Sequence, residues 1–413
     1  MKLPFKFSFR RLLLVLAVLG PGIISANADN DAAGITTYTV TGARYGYKLL
    51  FSLLIITIVL AITQELGARI GVISGKGLGG VIREKFGLKL TMLAMGAMLI
   101  ANFGVIVADM AGVAEAMSLF GVTKYLSVPI FTVLLWLVLY KGSFAKAEKF
   151  FLVLSAMYIV YIVTAFYTKP DWGLALSSLV TPHIQFDKAY LVTLMALIGT
   201  TVTPWGQFFI QSYIVDKSTP AGHYGFQRLE IFFGAFLTDF ISFFIIVTAT
   251  NTLFKNGIFV NNASEAALSL APLAGAQATS LFAFGLLVAG LLGVSIVTLA
   301  TAYALCETFG FESAMDRSWK DAPVFYSLIT FFLVIASLIV IIPGIPLFPI
   351  MISSQVINGL ILPIILVYVY KIINDRKIMG AYTNGKTANF FALSAVGLLT
   401  IASLVVALTS IFT

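Results

Sequence analysis

Gly20-Pro21-Gly22-Ile23-Ile24-Ser25-Ala26-Asn27-Ala28-Asp29-Asn30-Asp31-Ala32-Ala33-Gly34 interrupts the first long apolar stretch of this 413-residue chain. Leu12 to Leu19 precede it, and a run rich in Thr and Tyr follows as far as Gly42. Asn27, Asp29, Asn30 and Asp31 set two carboxylates and two carboxamides in a segment long enough to cross a bilayer. A charged side chain at the bilayer centre costs about 2.5–3.5 kcal/mol even on insertion scales, so such groups face a protein interior or a wet cavity. Three glycines and a proline weaken the helix around them. Unwound backbone at membrane depth survives only where it lines a cavity or is buried in protein. Residues 27–34 are therefore expected to break the first spanning helix and to hold something positively charged.

The rest of the chain agrees with a polytopic membrane protein. It is 59% hydrophobic and 11% charged, with a mean hydropathy of +0.99, which excludes a soluble domain. The N-terminal apolar run reads as the first span rather than a cleaved signal. Cys306 is the single cysteine, so no intramolecular disulfide forms, and two histidines, His183 and His223, leave little for a His-built site. No nucleophile–base pair or cofactor motif is visible, so neither an enzyme nor a resident cofactor is expected. About eleven apolar spans are read, near residues 10–42 (broken), 46–72, 87–118, 125–141, 147–168, 187–215 (broken), 225–254, 277–309, 322–342, 346–372 and 388–411. With the N-terminus inside, 20 of the 26 Lys and Arg fall on the cytoplasmic side. Arg44, Lys48, Lys124, Lys169, Lys188 and Lys255 remain outside. That asymmetry predicts a cytoplasmic N-terminus and an extracytoplasmic C-terminus in the cell membrane, and it accounts for the net charge of +8 without a nucleic-acid partner.

The sixth span repeats the oddity of the first: Leu197-Ile198-Gly199-Thr200-Thr201-Val202-Thr203-Pro204-Trp205-Gly206-Gln207-Phe208. Gly, Thr and Pro cluster at its middle, and Pro204 frees a backbone carbonyl. Interrupted spans one and six predict two five-helix repeats of inverted topology, about residues 10–168 and 187–372, with an extra helix at about 388–411, in a single domain of residues 1–413. Substrate then sits at the midplane between the broken helices, where unwound carbonyls and half-helix C-termini coordinate cations.

Gly20-Pro21, Asp31 and then Gly42-Ala43-Arg44-Tyr45-Gly46-Tyr47 resemble the first span of the Nramp divalent-metal transporters. Gly71 to Leu78, Arg83-Glu84-Lys85-Phe86-Gly87, Ala108-Asp109-Met110-Ala111, Lys169-Pro170-Asp171-Trp172, Ser354-Gln355-Val356 and Asn374 to Gly380 resemble later family segments, in the same order. The likeness covers nearly the whole chain and implies a leucine-transporter-type, all-α fold and divalent-cation transport. The departures are as informative. The family's Asp-Pro-Gly-Asn is Asp31-Ala32-Ala33-Gly34 here, and its Met-Pro-His is Thr203-Pro204-Trp205. Its second sixth-span histidine falls on Ile210, and two third-span acids fall on Asn102 and Gly112, leaving Asp109. This pattern resembles the Nramp-related magnesium-transporter branch.

Ligand chemistry supports the same reading. Asp31, Asp29, Asn30, the Thr203 hydroxyl, the Gln355 amide and free carbonyls near Ala28 and Thr200 form an all-oxygen set. Such donors suit Mg, Ca and Mn, whereas thioether and imidazole suit later transition metals. Mg2+ keeps several waters and takes one or two carboxylates; Gly34, Thr203 and Gly206 leave room for those waters. Trp205 either shapes the cavity or packs. Asp239 lines the ion pathway or is hydrogen-bonded to a neighbouring helix. Asp109 is a relay or exit-path group, or pairs with a basic residue such as Arg376. Asn358, one turn after Gln355, faces the same side. Glu65 pairs with Arg69.

The expected function is a secondary transporter for Mg2+, and also Mn2+, working by alternating access as a monomer in the bilayer. Proton coupling needs titratable groups strung through the membrane, and these are sparse, so uptake is expected to be driven by potential alone. The alternatives are a proton-coupled Mn2+ or Fe2+ symporter using Asp31 and Asp109, and a Na+-coupled amino-acid transporter of the same fold. The second alternative is disfavoured because a carboxylate substrate wants a bare helix N-terminus.

Overall fold

A computed structural model describes residues 30–141, 156–216, 224–313 and 318–412. Gly20-Pro21, Ala28 and Asp29 lie outside the described residues.

The first helix among the described residues, α1 (Ala32–Tyr45), starts directly after Asp31. Its sequence is unusually polar for a buried helix, and the hydroxyls explain how that is tolerated. Thr36, Thr37 and Thr41 each donate to the carbonyl four residues back, at 2.8 Å, so these donors are satisfied inside the helix itself. At its far end Gly46 takes φ +59° and forms an elbow into α2 (Leu50–Ser74). Helix α3 (Leu78–Leu119) contains one non-helical residue, Gly87, at φ 72° and ψ 178°. The apolar span expected from residue 87 is thus the longer part of α3, and the basic segment before it is a separate helical piece.

Then come α4 (Lys124–Lys141), α5 (Ile159–Tyr167) and the short α6 (Trp172–Val180). Asp171 caps α6 by accepting from the Leu174 N–H at 2.9 Å. The sequence reading placed no helix there. The sixth span is broken as expected, into α7 (Lys188–Thr201) and α8 (Pro204–Asp216). Helices α9 (Tyr224–Thr252), α10 (Ala278–Phe309), α11 (Pro323–Ile341), α12 (Leu347–Ile373) and α13 (Lys386–Phe412) complete the bundle. Eight stretches among the described residues are long and apolar enough to cross a membrane. One of them, Ala32–Ser74, joins the end of the first expected span to the second. The shorter Lys124–Tyr140 and α5 account for the fourth and the end of the fifth.

Helix α3 is central, packed along α10 and α12; α7 lies on α12, and α1 lies on α9. Backbones approach closely where side chains are absent. A Cβ on Gly199 would come within 1.9 Å of the Gln355 carbonyl oxygen, so only glycine lets α7 lie this close to α12. Helices α4, α11 and α13 expose rows of large apolar side chains, such as Ile130, Val133 and Leu134, Phe331, Val334 and Leu338, and Ile401 and Leu404. These rows suit contact with lipid. The three ion pairs among the described residues lie at the end of the bundle away from the α1–α2 elbow: Glu65–Arg69 (2.9 Å), as expected, Lys76–Glu84 (2.5 Å) and Lys85–Asp375 (2.5 Å). The Lys85 ammonium holds the Asp375 carboxyl below its usual range, helped by the Lys377 N–H.

Candidate metal-binding site

Asp31 is the N-cap of α1. Its Oδ1 accepts the Gly34 N–H at 2.6 Å, and the residue is only 3% exposed. A carboxylate here answers the positive pole of α1. Asp109 of α3 is fully buried and reaches the same helix end. Its Oδ1 accepts the Ala33 N–H at 3.4 Å, and its Oδ2 has no hydrogen-bond partner. The two carboxyl groups lie side by side at this helix end, both crowding the same position on α10. Asp109 is therefore not the partner of Arg376, which lies in the connector after α12. Neither Asp31 nor Asp109 belongs to an ion pair among the described residues.

The pair depends on a gap in α10. A Cβ on Gly293 would sit 2.1 Å from Asp109 Oδ2 and 3.0 Å from the Asp31 Cβ. Glycine at that position lets α10 close over both acids without displacing them. Met351 of α12 also reaches this end of α1: its sulfur lies 3.7 Å from the Thr36 hydroxyl and would lie 3.4 Å from a Cβ on Gly112.

The second break lies alongside. The Tyr38 hydroxyl and the Thr201 hydroxyl are 2.9 Å apart, tying α1 to the last turn of α7. The last carbonyls of α7 have no intrahelical partner and form a negative pole. The Thr200 hydroxyl is buried and unpartnered. Thr203 caps α8, its Oγ1 accepting the Gly206 N–H at 3.2 Å. Trp205 is fully buried, edge-on to Phe209 with centroids 6.0 Å apart, and its indole N–H has no partner. On α12, Asn358 donates to Gln355 Oε1 at 3.0 Å and to the Gly199 carbonyl at 3.4 Å. The oxygen this arrangement leaves free is Asn358 Oδ1 rather than that of Gln355.

One expected ligand, Asn30, is turned away, and one expected pathway residue, Asp239, keeps both carboxylate oxygens buried without a partner. The Asn30 amide donates to the Thr238 carbonyl (3.3 Å) and its Oδ1 accepts from Ser242 (3.2 Å), so its side chain is turned onto α9. The Tyr158 hydroxyl donates to its carbonyl at 2.6 Å. Asp239, 4% exposed, lies at the α9–α2 interface, where its polar neighbour is Thr57. The Thr57 hydroxyl donates to the Leu53 carbonyl at 2.8 Å. The structure thus brings Asp31 to Asp109, and Gly199, next to Thr200, to Gln355 and Asn358, with Tyr38 tying α1 to Thr201 in the same turn of α7. Sequence reasoning missed Tyr38, Tyr158, Gly293 and Met351. Met351 alone carried a usable signal, because it precedes Gln355 by one helical turn. No cluster of three or more His, Cys, Asp or Glu occurs among the described residues.

The family model described as Nramp, natural resistance-associated macrophage protein-like, matches residues 22–409. The divalent metal cation transporter MntH of Verminephrobacter eiseniae is 25% identical over 385 residues, covering 90% of this chain and 84% of the relative. The solved structure of the Eremococcus coleocola manganese transporter, bound to an aromatic bis-isothiourea compound, superposes with a TM-score of 0.77 at 18% identity, over 98% of this chain and 88% of the other. Mhp1, a nucleobase-cation-symport-1 family transporter in a closed conformation, gives a TM-score of 0.61 at 13% identity, over 94% and 91%. The expected all-α, leucine-transporter-type architecture is the one found.

Proposed function

We propose, from the premise that this chain belongs to the Nramp family, that it is a secondary transporter carrying a divalent metal cation across the membrane by alternating access. One observation carries the reading. Asp31 and Asp109 bury two neighbouring carboxyl groups at the start of α1 with no basic side chain paired to either. Two carboxylates in a low-dielectric site demand a compensating charge, and a divalent cation supplies it at one position.

The surrounding donors favour Mg2+, with Mn2+ as a second substrate. The Thr200 and Thr203 hydroxyls, Asn358 Oδ1 and the terminal carbonyls of α7 are oxygens, which suit hard cations. With Asp29 and the carbonyl of Ala28, which precede the described residues, they complete the proposed oxygen-donor set. Gly34 and Gly206 leave room for the waters that Mg2+ retains. With the N-terminus cytoplasmic, the membrane potential supplies roughly 2.3 kcal/mol per charge per 100 mV, and twice that for a divalent ion. Asn102 and Gly112 interrupt the acid series that a proton route would need, which supports uncoupled uptake. A second reading draws on the Asp31–Asp109 contact itself. Two adjacent carboxyl groups share a proton when no cation lies between them, so metal entry would release one.

The deciding experiment is uptake into proteoliposomes under an inside-negative potential, with a Mg2+-sensitive dye and a pH dye in parallel. Mg2+ entry without acidification is expected. Mn2+ entry with acidification and no Mg2+ entry would replace this reading with the proton-coupled one. In the same assay, Gly34→Asn with Thr203→Met is expected to move the Mg2+/Mn2+ preference toward Mn2+ by about tenfold, since a soft, bulkier donor replaces a hydroxyl and water space. Loss of the Thr203 cap costs about 1 kcal/mol of stability. An unchanged preference would show that these two positions do not set selectivity.

A further inference from the structure

The α1–α2 elbow, α6 and the end of α9 border a half-open cavity of about 300 Å3, lined by Tyr47, Lys48, His183, Lys255 and Thr250 among others. It lies at the far end of α1 from Asp31, on the face the charge asymmetry assigns to the exterior. Its chemistry is the reverse of the metal site. Lys48 and Lys255 are exposed and belong to none of the ion pairs among the described residues. The Tyr47 hydroxyl is buried without a partner, and the residue is only 8% exposed. His183 Nε2 is likewise buried and unpartnered, and the residue is held by the Tyr190 hydroxyl, which donates to its carbonyl at 2.6 Å. The other hydroxyls on the wall already spend their protons: Ser178 on the Leu174 carbonyl, Thr181 on that of Ser177, and Thr250 on that of Ile246. The carboxylate facing Tyr47 is Asp171, which is engaged as the cap of α6. What remains available is two ammonium groups, a phenol and an imidazole nitrogen.

We infer that this cavity is a binding site for a phosphate-type oxyanion, clamped by Lys48 and Lys255 and hydrogen-bonded by Tyr47 and His183. An unpaired buried donor is costly, and charge-assisted bonds from ammonium groups to an oxyanion are among the strong ones. The ligand is inorganic phosphate or the phosphate of a lipid headgroup, because the elbow lies near the end of the spans. Bound there, it bridges the elbow to α6 and α9 and stiffens the base on which α1 moves.

The test is thermal unfolding of the full-length protein purified in phosphate-free detergent. It is titrated with inorganic phosphate and, separately, with micellar phosphatidic acid, using phosphatidylcholine as the neutral control. A concentration-dependent rise in Tm is expected, with the half-saturating concentration at least tenfold higher in Lys48→Gln/Lys255→Gln and several-fold higher in Tyr47→Phe. A rise with inorganic phosphate supports a free anion as ligand; a rise with phosphatidic acid alone supports the headgroup. No rise with either, or an undiminished rise in the double-lysine variant, overturns the site. Metal uptake is measured on the same preparations, so that failure of this site is separate from failure of the transport reading.

Discussion

Asp31→Ala abolishes divalent-metal uptake in proteoliposomes, down to the level of protein-free vesicles. The expectation rests on what Asp31 does twice over. It caps α1 through the Gly34 N–H and presents a carboxylate beside Asp109. Removing a supporting hydrogen bond around a bound metal costs roughly 10–100-fold, and losing one of one or two carboxylates that hold a hard cation exceeds that. The cap is a separate matter, worth about 1 kcal/mol. Asp31→Asn separates the two roles, because Asn caps about as well as Asp while lacking the charge. It is expected to keep the thermal stability of the wild type and to be as inactive as the alanine variant. Uptake by Asp31→Asn at the wild-type rate would move the site away from this residue, toward Asp29.

Gly293→Ala gives the second large effect, from a residue with no chemistry of its own. The added methyl would start 2.1 Å from Asp109 Oδ2 and 3.0 Å from the Asp31 Cβ. Either Asp109 swings away from α1 or α10 moves outward. Overpacking of this kind costs about 1–3 kcal/mol, and uptake is expected to fall by roughly 10–100-fold, as for other disturbed metal surroundings. Adding Asp109→Ala to Gly293→Ala restores room, so it is expected to recover melting temperature without recovering transport. Normal uptake by the single variant would mean that the closeness of α10 to the two acids does not matter to the cation.

Much of the architecture was legible because membrane spans are written as composition over a fixed length. The span expected at 277–309 is the helix Ala278–Phe309, and that expected at 346–372 is Leu347–Ile373. The sixth-span break at Val202-Thr203 was readable from Pro204 and its Thr and Gly neighbours, each of which disfavours helix in its own right. The site was legible only in part. Asp31 announced itself as a charge in an apolar run, but nothing local to Asp109 says that it meets Asp31 rather than Arg376. That contact joins residues far apart in the chain, and no periodicity encodes it. Asn30 misled for the opposite reason. Its amide suits a cation as well as it suits the Thr238 carbonyl, and only the proximity of α9 decides between them. Gly293 looked like one small residue in a long helix until the acids opposite were in place.

Helix α1 is fastened to α9 at both ends. Asn30 bonds to Thr238 and Ser242 at one end; at the other, Thr250 donates to the Gly42 carbonyl at 3.4 Å, and Gly42 lies so close that a Cβ would come within 2.5 Å of the Ile246 carbonyl oxygen. The fastenings are about 18 Å apart along α1, at 1.5 Å per residue. Two helices pinned in this way turn as a single lever rather than sliding past each other. A cation settling on Asp31 pulls at one tip of that lever, and the opposite tip, around Thr250, is the wall of the lysine-lined cavity. The proposed transport stroke and the occupancy of the proposed anion site would then be two readings of the same rigid arm.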